Sequence, residues 1–328
     1  MAAGASLAFC VPAVATATPQ YTIFLAASDG VPTNERAVLA WKRPSGRNSR
    51  ERQAEYLSVP CNMDPLFRRC VSLQALGEYI WGLSDSGILR VFQVSPAKGD
   101  GVSIRVVSTI SKSRFSLFKC TPLALMVVVP NAGKRRVRGT GSAEGSGQSN
   151  VQRYPVIHLW TASMLGHSTF SALLDSLAQP FAEEDSGDST HKDGLEKLIL
   201  AEWKNSRVTH NSLRCRNVHA IDCSTEGHFV AVCDDEQETR VMWWRMSSLS
   251  PTPKGLKPKI EGLSFSSPII SCAMGRNHTL LLQDQGKVLG TGSNSKGQLG
   301  TAHHLGPGTN LLDDAAPVGG LSGHLFSC

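Results

Sequence analysis

CAMGRNHTLLLQDQGKVLGTGSNSKGQLG, residues 272–300, places a histidine ahead of an apolar run, follows it with a polar turn, and ends a second short run in glycines. The run Thr279-Leu-Leu-Leu-Gln has strand length, and Asp284-Gln-Gly286 supplies residues that accept a tight strand reversal. The stretch therefore predicts a β-hairpin whose starting residue, His278, stands eight positions before a turn glycine, Gly286.

The same spacing recurs along the chain. Tyr79 stands eight positions before Gly87, and Thr22 eight before Gly30. Met126-Val-Val-Val-Pro-Asn-Ala-Gly133 is one residue shorter, and His228 to Glu236 keeps the apolar run but has an acidic turn. A second strand follows each: AVLAWK (37–42), ILRVFQV (88–94), VIHLWTA (156–162), RVMWWRM (240–246) and KVLGTG (287–292). The turns near 30, 87, 133, 236 and 286 give intervals of about 57, 46, 103 and 50 residues, so one further unit is expected inside the double interval.

A period near 50 with several strands per unit predicts an all-β chain, a β-propeller of four-stranded blades. A β-sandwich, or two stacked β domains, is the alternative with similar strand spacing. Residues 163–218 contain apolar positions at helical spacing in HSTFSALLDSLAQPF and GLEKLILAEWKN; they read either as a degenerate blade or as a helical insertion near 165–205. The low-complexity segments 134–152 and 183–194 are expected to be disordered loops within one propeller domain spanning 1–328.

Composition supports β structure. The chain has 328 residues, 41% hydrophobic and only 18% charged, with 30 glycines and 17 prolines, which suits many turns between short apolar segments. The net charge of +6 concentrates in Lys42, Arg43, Arg47, Arg50 and Arg52, in Lys134, Arg135, Arg136 and Arg138, and in Lys254, Lys257 and Lys259. Each group reads either as a solvated loop or as a surface for an anionic partner.

Nine cysteines with no Cys-x-x-Cys pair argue for free thiols and a reducing cytoplasmic or nuclear location, not secretion, leaving the Asn277-His278-Thr279 sequon unused. The amino terminus lacks a signal peptide's basic region, and no apolar run approaches membrane-span length, so no membrane partner is expected. LALMVVV (123–129) has strand length.

At 268–300 the residues become specific. Ile270, Cys272, Ala273, Gly275, His278, Thr279, Leu282, Gly286, Val288, Gly292, Asn294, Gly297, Gln298, Leu299 and Gly300 resemble a repeat of the regulator of chromosome condensation (RCC1) family. The other four copies lack its Gly-Gln-Leu-Gly ending. Pro317-Val318 with Gly320-Leu321 resembles the end of a repeat, and Leu325-Phe-Ser-Cys328 resembles Ile269-Ile-Ser-Cys272. The resemblance implies a seven-bladed ring, against six units that fit in this length, so the chain is expected to be a fragment with an incomplete ring at its C-terminal end.

Gly275, His278, Gly286, Gly292, Asn294, Gly297, Gln298, Leu299 and Gly300 are expected to be structural. The glycines at 290–297 lack a phosphate-loop pattern, and His278 has no nucleophile or carboxylate at a catalytic spacing, so it reads as a hydrogen-bonded core histidine. No cofactor, metal site or classical enzyme activity is expected. The function expected is a non-catalytic module that binds an unidentified protein partner through its loops. Two alternatives stand beside it. The resemblance implies guanine-nucleotide exchange on a Ran-like small GTPase. The Lys134, Arg135, Arg136 and Arg138 cluster suits chromatin or nucleic-acid binding, or a nuclear-import signal.

Overall fold

The computed structural model describes residues 12–26, 38–42, 57–97, 101–110, 114–136, 151–162, 207–208, 216–224, 228–234, 238–244, 250–252, 255–257, 261–265, 267–299 and 316–317. Contacts divide them into two compact units, the first ending at Arg114 and the second beginning at Phe115.

The first unit holds two sheets. Sheet 1 is an antiparallel meander of β1 (Pro12–Ala17), β2 (Tyr21–Ala26), β3 (Val38–Lys42) and β4 (Leu57–Val59). Tyr21, Ile23 and Leu25 are buried while Thr22 and Phe24 are partly exposed, the period of two that a strand imposes. Next come β5 (Cys61–Met63) and the short helix α1 (Pro65–Arg68). Asp64 starts this helix by accepting a 2.8 Å bond from the Leu66 amide, with Pro65 in the first turn. Sheet 2 is the meander β6 (Cys70–Leu76), β7 (Tyr79–Ser84), β8 (Leu89–Pro96) and β9 (Val102–Ile110), with β5 added parallel to β9. One core joins the two sheets: Tyr21, Ile23, Leu25 and Ala40 meet Leu73, Ile80, Phe92 and Ile104, and Phe67 packs edge-on to Phe92 at 4.9 Å.

The second unit holds three sheets. Sheet 3 runs β10 (Leu117–Thr121), β11 (Ala124–Arg136), β12 (Val151–Thr161) and β13 (Arg207–Val208); sheet 4 begins with β14 (Asn217–Cys223), β15 (Phe229–Asp234) and β16 (Thr239–Trp244). A hairpin of β17 (Ser250–Thr252) and β18 (Gly255–Lys257) then leaves sheet 4 to pair with β13, before β19 (Glu261–Phe265) returns beside β16. Sheet 5 consists of β20 (Ile269–Met274), β21 (His278–Gln283), β22 (Val288–Gly292) and β23 (Ala316–Pro317).

Sheet 4 decides between sandwich and propeller. Its residues Phe229, Ala231, Cys233, Met242 and Trp244 share a core with sheet 3, while the alternating Val230, Val232, Val241 and Trp243 share another with sheet 5. A sandwich sheet buries one face; a propeller blade buries both, against its neighbours in the chain. Burying each such side chain contributes about 1.5–3 kcal/mol. The first strands of successive sheets also lie side by side, β1 with β6, and β10 with β14 and β14 with β20. The fold is all-β, built of propeller blades.

All five predicted hairpins are present, as the pairs β2–β3, β7–β8, β11–β12, β15–β16 and β21–β22. One turn is misplaced by the sequence reading. At Asn131-Ala-Gly133 the chain does not reverse: Asn131 takes a left-handed φ of 56°, the register shifts between Val129 and Gly133, and β11 continues to Arg136 opposite Val151. A bulge residue and a turn residue share the same tolerance for positive φ, so their sequence signals coincide. Residues 134–136 and 151–152, expected in a disordered loop, are therefore paired strand; 137–150 and 183–194 lie outside the described residues. The expected blade or helical insertion at 163–218 lies largely outside them too. β13 pairs antiparallel with β12 in the same sheet.

Candidate functional site

Sheet 5 shows what the opening stretch is for. The Gly275 amide donates to the His278 carbonyl at 2.9 Å, and the half-buried imidazole lies over Gly275. A Cβ at residue 275 would come within 2.6 Å of the His278 ring nitrogens, so this approach requires glycine. At the reversal Gly286 has a φ of 76° and donates to the Gln283 carbonyl at 3.0 Å.

The Gly-Gln-Leu-Gly segment closes the end of the blade. Asn294, 2% exposed, accepts the Leu299 amide at 2.9 Å through its side chain and the Gly297 amide at 3.0 Å through its carbonyl. Gln298 accepts the Lys296 amide at 2.7 Å, Gly297 has a φ of 71°, and Leu299 is buried. Gly292, with a φ of 99°, is the β22 partner of His278. Gly300 lies outside the described residues.

Sheet 4 fastens to this repeat by side chains that the sequence reading did not single out. The indole of Trp243 donates to the Thr279 hydroxyl at 3.1 Å, both groups buried. The register of β14 shifts between Val218 and Ala220, freeing His219 to place Nδ1 3.1 Å from Asp234 Oδ2 and Nε2 against the Ile269 carbonyl. A bulge thus redirects one side chain from its own sheet to the next.

Asp222 ties three first strands together. Its Oδ1 is 2.6 Å from Lys119 Nζ on β10 and accepts the Cys223 amide at 2.9 Å, while Oδ2 accepts the Met274 amide of β20 at 2.6 Å. Three donors compensate the removal of this carboxylate from water. Burial, reinforced by the Asp222 charge, pushes the Cys223 and Cys272 thiols up to about 12; burial also raises Cys120 and takes Cys61 to about 11. Nucleophilic chemistry needs the thiolate, so these cysteines act as small core residues at neutral pH. Among the described residues, no cluster of three or more His, Cys, Asp or Glu is placed to hold a metal ion.

The basic cluster stands elsewhere. Beyond the bulge, β11 and β12 continue as a ribbon in which Lys134 pairs with Arg153, Arg135 with Gln152 and Arg136 with Val151. Sequence reading found three of these cations as a run in a loop; the register adds Arg153 from the opposite strand. Arg138 lies outside the described residues. No described helix is long and apolar enough to cross a membrane.

Comparison with known proteins agrees with the blade reading at one place in the sequence. Residues 269–298 match the Regulator of chromosome condensation (RCC1) repeat, and this chain carries that repeat. No characterised protein matches the chain in a sequence search. Among solved structures, Prp20p from Saccharomyces cerevisiae, described with its binding to Gsp1p and histones, is 12% identical with a TM-score of 0.41, covering 86% of this chain and 57% of its own. Human WBSCR16 is 12% identical with a TM-score of 0.40, covering 93% and 65%. Chaetomium thermophilum Sqt1, bound to the N-terminus of ribosomal protein L10, is 11% identical with a TM-score of 0.36, covering 85% and 71%. The chain thus spans under two thirds of the first two. Likenesses of this size carry no argument about function.

Proposed function

We propose that this chain is a non-catalytic interaction module, working in the cytoplasm or nucleus, that binds an acidic surface of a protein partner through the β11–β12 ribbon. The observation that carries the reading is the register of that ribbon: Lys134, Arg135 and Arg136 on one strand and Arg153 opposite Lys134. No Asp or Glu occurs in 122–143 or 151–154 to neutralise them. The register brings four cations within three consecutive pairs at about 3.3 Å per residue, a spacing that acidic side chains of a partner can follow.

The same ribbon favours a second reading, docking on chromatin or nucleic acid, because a two-stranded β-ribbon fits the major groove. Affinity capture with the full chain and with Lys134→Glu/Arg136→Glu tests the first reading. Proteins held by the wild type should be lost from the variant, and equal capture by both would overturn it. A short DNA duplex tests the second. Four phosphate contacts would give a log–log salt slope near −3.6, whereas a protein contact varies less steeply. Release of nucleotide from a loaded small GTPase, unaffected by the charge reversal, would instead favour the exchange activity that the repeat implies.

A further inference from the structure

The β7–β8 turn of sheet 2 repeats the β21–β22 turn of sheet 5 in its backbone hydrogen bonds. Gly87 and Gly286 have φ of 77° and 76°; their amides donate to Ser84 and Gln283 at 2.9 and 3.0 Å. The Asp85 and Asp284 amides reach back to Arg69 and Pro268, both at 3.1 Å. Aligned this way, the cross-strand pair Leu281 with Leu289 in sheet 5 becomes Gly82 with Arg90 in sheet 2.

Leu289 is a core residue, 5% exposed, and Arg90 is also buried at 8%. A leucine there packs; a guanidinium needs acceptors. Two buried nitrogens of Arg90, Nε and Nη1, have no hydrogen-bond partner. An unpaired buried charge is destabilising, and a guanidinium keeps its proton, so acceptors are the remedy. Gly82 across the pair has no side chain, and a Cβ there would come within 2.6 Å of Cys70 Sγ and 2.9 Å of the Phe92 ring.

We propose that Arg90 is the floor of a carboxylate-binding site in sheet 2. One guanidinium balances one negative charge. That suits a singly charged carboxylate; the arginines at the Ser84–Gly87 turn are engaged there, Arg69 with Asp85 Oδ1 at 3.6 Å and Arg114 with the Ser86 carbonyl at 3.0 Å. With Arg90 8% exposed and its Nε and Nη1 closed to solvent, the ligand is a single small group, a free small carboxylate or an Asp or Glu side chain of a partner segment. This inference concerns the first unit and is independent of the ribbon in the second.

The test uses the full chain, with sodium acetate and the peptide Ac-Gly-Glu-Gly-NH2 as probes against sodium chloride and phosphate at matched ionic strength. The readouts are the thermal midpoint and the Arg90 Nε signal in a ¹H–¹⁵N spectrum. Acetate should move the signal and raise the midpoint more than chloride or phosphate does. Arg90→Leu, which restores the residue of sheet 5, should fold and lose the response; Arg90→Lys should weaken it at least tenfold. Saturation by the peptide at a tenfold lower concentration than acetate identifies a partner's side chain as the source, and equal saturation identifies a free carboxylate. Equal responses to all anions, or a response that survives in Arg90→Leu, would overturn the proposal.

Discussion

Lys119 Nζ lies 2.6 Å from Asp222 Oδ1, and the two residues belong to the first strands of consecutive blades. The same carboxylate accepts an amide from the first strand of a third blade. Blade order in the second unit is thus fixed by a polar node as well as by apolar cores, because three donors from three strands are satisfied only in one arrangement.

Asp222→Ala should therefore destabilise the second unit by about 3 kcal/mol, since it strands the Lys119 charge and two amides together. Lys119→Met should be milder, because Lys119 keeps a third of its side chain in water and the two amides still hold the carboxylate. Urea unfolding followed by tryptophan fluorescence measures both. Equal losses would mean that the ion pair alone carries the node.

Trp243 and Thr279 allow a second, neutral test of blade cohesion. Trp243→Phe removes the donor and keeps most of the packing, for a loss of about 1 kcal/mol. Thr279→Val leaves a buried indole N–H without its acceptor and should be worse, by up to about 3 kcal/mol. If the double variant equals the sum of the single ones, the 3.1 Å bond contributes nothing cooperative.

The blade periodicity was legible because it rests on spacing: Tyr79 to Gly87 and His278 to Gly286 keep eight residues, and the geometry of the two turns agrees within 1° in φ. Spacing survives where the Gly-Gln-Leu-Gly ending does not. Asn131-Ala-Gly133 was misread because tolerance of positive φ does not say whether the chain turns or bulges. Asp222, His219 and Trp243 were invisible for a different reason. Their partners lie 52, 50 and 36 residues away, on neighbouring blades, and no local pattern encodes such a contact.

Gly275 and His278 predict a non-additive pair. Gly275→Ala forces a methyl group into the imidazole and should cost about 2 kcal/mol, whereas Gly275→Ala/His278→Ala should recover most of that loss. Gly286→Ala meets no atom within 4 Å and should cost only the strain of its 76° φ, about 1 kcal/mol. Thermal melts of these three variants, with His278→Ala beside them, decide. Failure of the double variant to recover would mean that backbone strain at 275, and not the ring, dictates the glycine.

Cys223 gives the molecule a defined response to alkaline pH. Its thiol is pushed from 9.0 to about 12, first by burial and then by the Asp222 charge, so above pH 9 the unfolded chain loses a proton that the native state keeps. The native state then binds more protons than the unfolded one, and stability falls with rising pH, by up to about 1.4 kcal/mol per unit between pH 9 and 12. The contribution is fully present below pH 9. Cys223→Ala should be less stable than wild type at pH 7 but lose stability more slowly across that window. Native Cys223 should likewise resist alkylation at pH 8 until denaturant is added. Rapid modification of the native thiol, or parallel pH profiles for the two proteins, would show that Cys223 is not held protonated by the fold.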